Sequence, residues 1–194
     1  MFLSNNELQK IGFKSLGENV LISNKVSIYG AEFISIGDNV RIDDFCILSG
    51  KITFGNNIHI GAGSMIFSNH DKTDEISVEI DDCSTLSSRC VIYALTDDYS
   101  GLTMTNPMIP DKYRGVIKKS VYIGKHCIVG TGSTILPGAN LAEGVAVGAM
   151  SLLTKPTKAW KIYAGIPARA IKERNKDLLE LERKFLKKVR NSSM

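Results

Sequence analysis

Aliphatic side chains recur every six residues through residues 121–153: Ile123, Val129, Ile135, Leu141, Val147 and Leu153, without a slip. Six is neither the 3.6-residue period of a helix nor the two-residue alternation of a strand, so what repeats is a unit of structure. The residue four after each anchor is mostly small: Cys127, Ser133, Ala139, Val145 and Ser151. One large and one small inward residue per unit describe a short strand followed by a tight bend. Three units close a triangular coil, so Ile123 and Leu141, eighteen residues apart, occupy the same place in successive coils. Such coils stack as parallel strands about 4.8 Å apart.

The same period runs upstream, through Ile22 and Ile28, then Ile36, Ile42, Leu48, Phe54, Ile60 and Ile66, then Ile80, Leu86 and Ile92. Related nonamers, ISIGDNVRI, ITFGNNIHI, VEIDDCSTL, VYIGKHCIV and ANLAEGVAV, set the register, with coils starting at Ile36, Phe54, Ile80, Ile123 and Leu141. The three intervals longer than six, Ile28 to Ile36, Ile66 to Ile80 and Ile92 to Ile123, each follow the last unit of a coil. Every insertion therefore leaves the same corner of the triangle, and loops gathered on one edge of a repeat scaffold mark its working face. The longest, residues 96–120, exceeds an ordinary turn; its DDYSG and NPMIP segments supply carboxylates, an aromatic and rigid prolines.

The period divides the chain into a lead-in at 1–19, a repeat at 20–155 and a closing segment at 156–194. Leu8, Ile11 and Phe13 are available to cap the first coil. Pro156, Trp160, Gly165 and Pro167 lie where the repeat stops and its open end needs cover. From Asn175 the spacing predicts a helix with Leu178, Leu179, Leu181, Phe185, Leu186 and Val189 on one side and Glu180 paired with Lys184. That apolar side is expected to pack on the repeat or on a neighbouring subunit.

Cys46, Cys90 and Cys127 fall on the small inward position, which predicts apolar fillers rather than disulfides. The net charge of +4 is modest and its basic excess lies mainly in the last forty residues, so no nucleic-acid partner is expected. No stretch has the length of a signal sequence or a membrane span, and a cytoplasmic protein is expected.

A six-residue aliphatic repeat, one large protruding loop, the run VYIGKHCIVGTGSTILPGANLAEGVAVGAMSLLTK and the ending YAGIPAR resemble the hexapeptide-repeat acyltransferases over residues 20–174. Within that superfamily the chain resembles bacterial sugar O- and N-acetyltransferases of the galactoside and maltose branch. The stretch from DDYSG to IGKH looks closer to enzymes that acetylate sugars or nucleotide-linked aminosugars for surface polysaccharides, including lipopolysaccharide and O-antigen. The resemblance implies an all-β fold, a left-handed parallel β-helix with a protruding loop and a C-terminal α-helix. It also implies a homotrimer that binds acetyl-CoA between adjacent subunits and transfers the acetyl group to a sugar hydroxyl or amine, without a covalent acyl-enzyme and without a metal.

Acetyl transfer from a thioester needs a base for the acceptor's proton and donors for the tetrahedral oxyanion. The branch's loop histidine has no counterpart here: that position is Asp97. Of the three histidines, His59, His70 and His126, the first is the expected base. It points outward near the first corner of a coil, above Arg41, where a neighbouring subunit's Asp97 and Asp98 would orient it. Asp97 and Asp98 complete the expected catalytic set, with Tyr99, His70 and Arg41 around the acceptor. His126, Gly130, Gly132 and Gly148 are expected along the pantetheine arm, and Lys155 and Arg169 at the CoA phosphates. For each basic or corner residue an ordinary solvated side chain is the competing assignment. Two other functions compete: a non-catalytic solenoid scaffold, and a γ-type carbonic anhydrase, which needs three histidines on one zinc. Here the histidines are scattered.

Overall fold

A computed structural model describes residues 1–192, with side chains to residue 187. Three sheets of five, eight and six strands, parallel except for the last strand of the second, form the sides of a prism. The first carries Ser15–Leu16, Ile34–Ile36, Ile52–Phe54, Val78–Ile80 and Val121–Ile123. The second starts with Leu21–Ile22, Val40–Ile42, Ile58–Ile60, Thr85–Leu86, Ile128–Val129 and Ala146–Val147. The third runs from Ser27–Tyr29 through Ile47–Ser49, Met65–Phe67, Val91–Tyr93 and Thr134–Ile135 to Leu152–Leu153.

Register follows the period. Leu16, Ile36, Phe54, Ile80, Ile123 and Leu141 pair in one column along the first side. Ile36, Phe54, Ile80, Ile123 and Leu141 are each at most 2% exposed, and most six-spaced anchors of the other two sides are buried with them, joined by inward residues such as Val40, Ile52 and Val121. The ladder starts one unit earlier than the sequence predicted, at Leu16 rather than Ile22.

The small inward position has a second duty. A coil corner leaves backbone carbonyls turned inward, and buried polar groups need partners. Cys46 Sγ donates to Gly61 O at 3.3 Å, Ser84 Oγ to Gly124 O at 2.8 Å, Cys127 Sγ to Ala142 O at 3.2 Å and Ser133 Oγ to Gly148 O at 3.0 Å. Ser and Cys are thus fillers that also satisfy the next coil, and all four cysteines are free thiols.

Each coil turns its first corner on a left-handed residue, and these residues form a column: Asn19, Asn39, Asn57, Cys83, His126, Gly144 and Trp160. Their amides climb the prism, as in Asn57 N to Asp38 O, Cys83 N to Asn56 O and His126 N to Asp82 O. Asn tolerates this conformation and glycine favours it, whereas Cys, His and Trp adopt it at a cost. Gly144 is also where no side chain fits: a Cβ would lie 2.5 Å from the Trp160 ring.

The N-terminal helix α1 (Asn5–Ile11) starts on a capping box between Ser4 and Glu7 and stops at left-handed Gly12. It pushes Leu8, 2% exposed, into the end of the core, with Ile11 and Phe13 packed beside it. At the other end the sheet continues where the sequence predicted that the repeat stops. Lys161–Gly165 pairs parallel with Ala146–Val147, and Ala168–Glu173 folds back antiparallel on it. Extra residues after Leu153 break the count of six but not the ladder. The last helix, α2 (Leu178–Ser192), starts after a turn in which Asn175 Oδ1 accepts from Asp177 N at 2.9 Å, so Asn175 precedes the helix. Leu178 and Leu179 are half-buried, whereas Leu181, Phe185 and Leu186 are exposed. Lys184 Nζ meets Glu180 at 3.0 Å as predicted, and the side chain of Val189 lies outside the described residues. No described helix is long and apolar enough to cross a membrane.

Candidate active site

All three insertions leave the corner between the third and first sides. The longest is not an irregular excursion: Leu95–Asp97 and Val116–Lys118 pair antiparallel and raise its base as a hairpin. Between the hairpin and the third side lies a cleft of about 470 Å³, lined by Phe67, Asn69, Tyr93, Asp97, Arg114 and Lys118, among others.

Two residues that line this cleft carry buried donors without partners. Asn69 Nδ2 and Arg114 Nε are the buried side-chain N or O atoms without a hydrogen bond among the described residues. Asn69 is otherwise fixed by its backbone carbonyl, which accepts from Lys51 N at 3.0 Å, and by its Oδ1, which accepts from Asp71 N at 3.3 Å. Arg114 keeps one arm on Asp111, Nη2 to Oδ1 at 2.7 Å. Buried donors without acceptors cost free energy, which a ligand supplying oxygen atoms would recover. Asp97 is half-buried, and among the described residues its carboxylate takes only a long bond from Asn106 N, at 3.3 Å. A second cleft of about 440 Å³ on the first side mixes Lys14, Lys51 and Lys72 with Glu32, Glu75 and Glu79 and contains no such orphaned donor.

The expected site residues do not converge within one chain. His59 is on the flat of the second side, in the strand Ile58–Ile60, and not at a corner. Its register with Arg41 is as predicted, but its carboxylate partner is Asp43, with Nε2 to Oδ2 at 2.7 Å. Arg41 Nε holds the other oxygen of Asp43 at 2.8 Å. Hydrogen bonds from His59 and Arg41 keep the Asp43 carboxyl below its usual range despite its partial burial.

Asp98 is committed to its own loop. It accepts from Ser100 N at 2.8 Å and from Thr103 N and Oγ1 at 3.2 and 3.0 Å, and the Ser100 bonds lead in lowering its carboxyl to about 2. Tyr99 stands at the loop tip, 89% exposed. His70 meets Ser49 Oγ at 2.9 Å and sets its ring edge-on to Phe33, one residue beyond the cleft wall at Asn69.

Of the residues expected around CoA, His126 is 7% exposed and packed near Trp160 and Glu182. Gly130 and Gly148 are explained by the stacking of coils: a Cβ on Gly130 would lie 2.5 Å from Ala149 N, and one on Gly148 3.0 Å from Ala164 Cβ. Gly132 is left-handed at the second corner. Lys155 and Arg169 are exposed near the open end. The sequence reasoning missed Asn69 and Arg114, because nothing in their spacing distinguishes them from other polar loop residues.

No family model matches the sequence. The chain is 46% identical over 187 residues to a dTDP-4-amino-4,6-dideoxy-D-glucose acyltransferase of Escherichia coli, covering 95% of this chain and 94% of that one. Its fold matches that of AntD, an N-acyltransferase from Bacillus cereus in complex with dTDP and 3-hydroxybutyryl-CoA, with a TM-score of 0.93. That match has 48% identity over 97% of this chain and 98% of AntD. A maltose O-acetyltransferase from Clostridium difficile 630 shares the fold alone, with a TM-score of 0.57 at 20% identity over 88% of this chain and 75% of that one. The six-residue prism, the cleft at its one decorated corner and these two near full-length relatives lead to one assignment: the chain belongs to the hexapeptide-repeat sugar acyltransferases, enzymes that carry an acyl group from coenzyme A to a sugar.

Proposed function

We propose that the enzyme N-acylates the amino group of a dTDP-linked 4-amino-4,6-dideoxy sugar, using acetyl-CoA or a larger acyl-CoA such as the 3-hydroxybutyryl thioester. The observation that carries this reading is the cleft at the hairpin base, lined by two residues with orphaned buried donors, Asn69 and Arg114, and by a lightly bonded carboxylate, Asp97. A sugar nucleotide supplies acceptor oxygens for Asn69 and Arg114, and Lys118 adds charge toward a diphosphate. AntD in complex with dTDP, and a serine variant of it with dTDP-4-amino-4,6-dideoxyglucose and coenzyme A, support an amine rather than a hydroxyl acceptor.

A sugar amine is largely an ammonium ion at neutral pH and must lose a proton before it attacks a thioester. Asp97 is the proton acceptor that the cleft offers, and backbone amides along the coil stabilise the oxyanion. His59, held by Asp43, is the second candidate, favoured by its short carboxylate bond. Gly130, Gly132 and Gly148 are assigned to the path of the pantetheine arm, and Lys155 and Arg169 to the phosphates of CoA. His126 is left out of that set. The coil is left-handed, three copies assemble around CoA sites at their seams, Tyr99 of the loop tip reaches the adjacent copy, and the enzyme works in the cytoplasm on precursors of surface polysaccharide.

Thiol release with dTDP-4-amino-4,6-dideoxyglucose and each acyl-CoA tests this, beside the 4-hydroxy analogue. Turnover of the amine alone is expected. Preferred turnover of the hydroxyl analogue would reject N-acylation. Asp97→Asn is expected to abolish turnover and His59→Asn to retain most of it; the reverse pattern would make His59 the base.

A further inference from the structure

Three of the four cysteines face the core, but Cys83 does not. It takes the left-handed place at the first corner, in the column that holds Asn19, Asn39 and Asn57 in the coils below and His126 in the coil above. Because the corner side chains stack, changing Asn to Cys and then to His sets a thiol beside an imidazole. Glu182 of α2 closes the group from outside, its Oε2 3.2 Å from His126 Nε2. Cys83 Sγ, a His126 ring nitrogen and a Glu182 carboxylate oxygen all lie within 4.8 Å of one another.

We propose that Cys83, His126 and Glu182 form a transition-metal site, suited to zinc, that pins α2 to the flank of the prism. Donor chemistry points to this ion: thiolate, imidazole and carboxylate are zinc's usual ligands, and a water completes the tetrahedron. Ligand atoms on one zinc are roughly 3.4–3.8 Å apart at ordinary bond lengths, so the three need only a small contraction, which the Cys83 and Glu182 rotamers can supply. Charge balances as well. On binding, the Cys83 thiol gives its proton to solvent, His126 binds as the neutral ring, and thiolate and carboxylate offset the two charges of the ion.

The surroundings partly shelter a site that keeps one open coordination position. Leu178, Leu181 and Phe185 fence the space and Trp160 backs the imidazole. The neighbouring cations are already occupied: Arg174 Nη1 donates to His126 O at 2.6 Å and to Gly144 O at 3.0 Å, and Lys125 sits 3.5 Å from Asp82. The site also explains how a helix with three exposed apolar residues, Leu181, Phe185 and Leu186, is held against the coil.

The test uses the full-length protein, stripped with a chelator and titrated with cobalt(II). One equivalent per chain is expected to produce an intense near-ultraviolet thiolate-to-cobalt band, and one equivalent of zinc to bleach it. Cys83→Ser should remove the band, since Cys46, Cys90 and Cys127 remain as buried controls. Glu182→Gln should weaken cobalt binding by about tenfold or more. Absence of the band at one equivalent, or its survival in Cys83→Ser, would overturn the proposal. Acyl transfer by the stripped protein is expected to persist, so the metal site and the N-acylation reading fail independently.

Discussion

Phe67 and Tyr93 stack on successive coils of the third side, their ring centroids 5.2 Å apart and their planes within 14° of parallel. The pair lines the proposed acceptor cleft, so a sugar ring or nucleobase there would meet an apolar wall. Tyr93→Ala removes half of it. An aromatic pair adds about 0.5–1.5 kcal/mol beyond area burial, so KM for the sugar nucleotide should rise about two- to twelvefold. KM for the acyl-CoA should not change. Steady-state kinetics with each substrate varied separately checks this.

Arg114 has a structural partner, Asp111, but that carboxylate is 91% exposed and the pair contributes little. Its orphaned Nε is the more consequential feature. Arg114→Gln should raise KM for the sugar nucleotide by one to two orders of magnitude, from the about 1.5–3 kcal/mol of a hydrogen bond to a charged group. Melting temperature should stay close to wild type, and a thermal scan beside the kinetics separates binding from folding.

Phe54 is the bulkiest member of the first-side column, sandwiched in register between Ile36 and Ile80. The backbone on either side is fixed by sheet hydrogen bonds, so a cavity there cannot collapse. Phe54→Ala should destabilise by about 3–5 kcal/mol, measured as a lower denaturant midpoint at fixed protein concentration.

Asp98 orders the loop through Ser100 and Thr103, and its carboxyl lies at about 2 against an ordinary 3.8. A depressed folded-state pKa contributes stability that is complete above the unfolded value and disappears as pH falls toward the folded one. Loop order should therefore be intact above about pH 5 and decline between about pH 4 and 2. Asp98→Ala should speed proteolytic nicking within the loop at neutral pH while the melting transition of the prism stays put. Unchanged nicking would show that the loop is held by other contacts.

Much of the fold was legible because one constraint, the period of six, sets both burial and register. The alignment of Ile36 with Phe54, Ile80 and Ile123 follows from counting. The ends were less legible because pairing there no longer follows the count. Leu16 enters the ladder without a preceding anchor, and Tyr163 pairs with Val147 across an interval of sixteen residues. The site was the least legible part. His59 was expected to find a carboxylate, and Asp43 supplies it from the same chain, two residues along the strand from Arg41. Counting places a side chain outward but does not say which outward neighbour it meets. Asn69 and Arg114 matter because their donors lack partners, and no linear pattern encodes that.

The antiparallel return of Ala168–Glu173 has a consequence for how the molecule behaves in a crowded cell. A parallel coil ending in open air would invite another copy to continue its ladder, and the product would be a fibre. Here the terminal strand runs the wrong way for that succession and carries Arg169, Lys172 and Glu173 along its rim. On this side of the prism, growth by end-to-end addition is opposed by direction and by charge together.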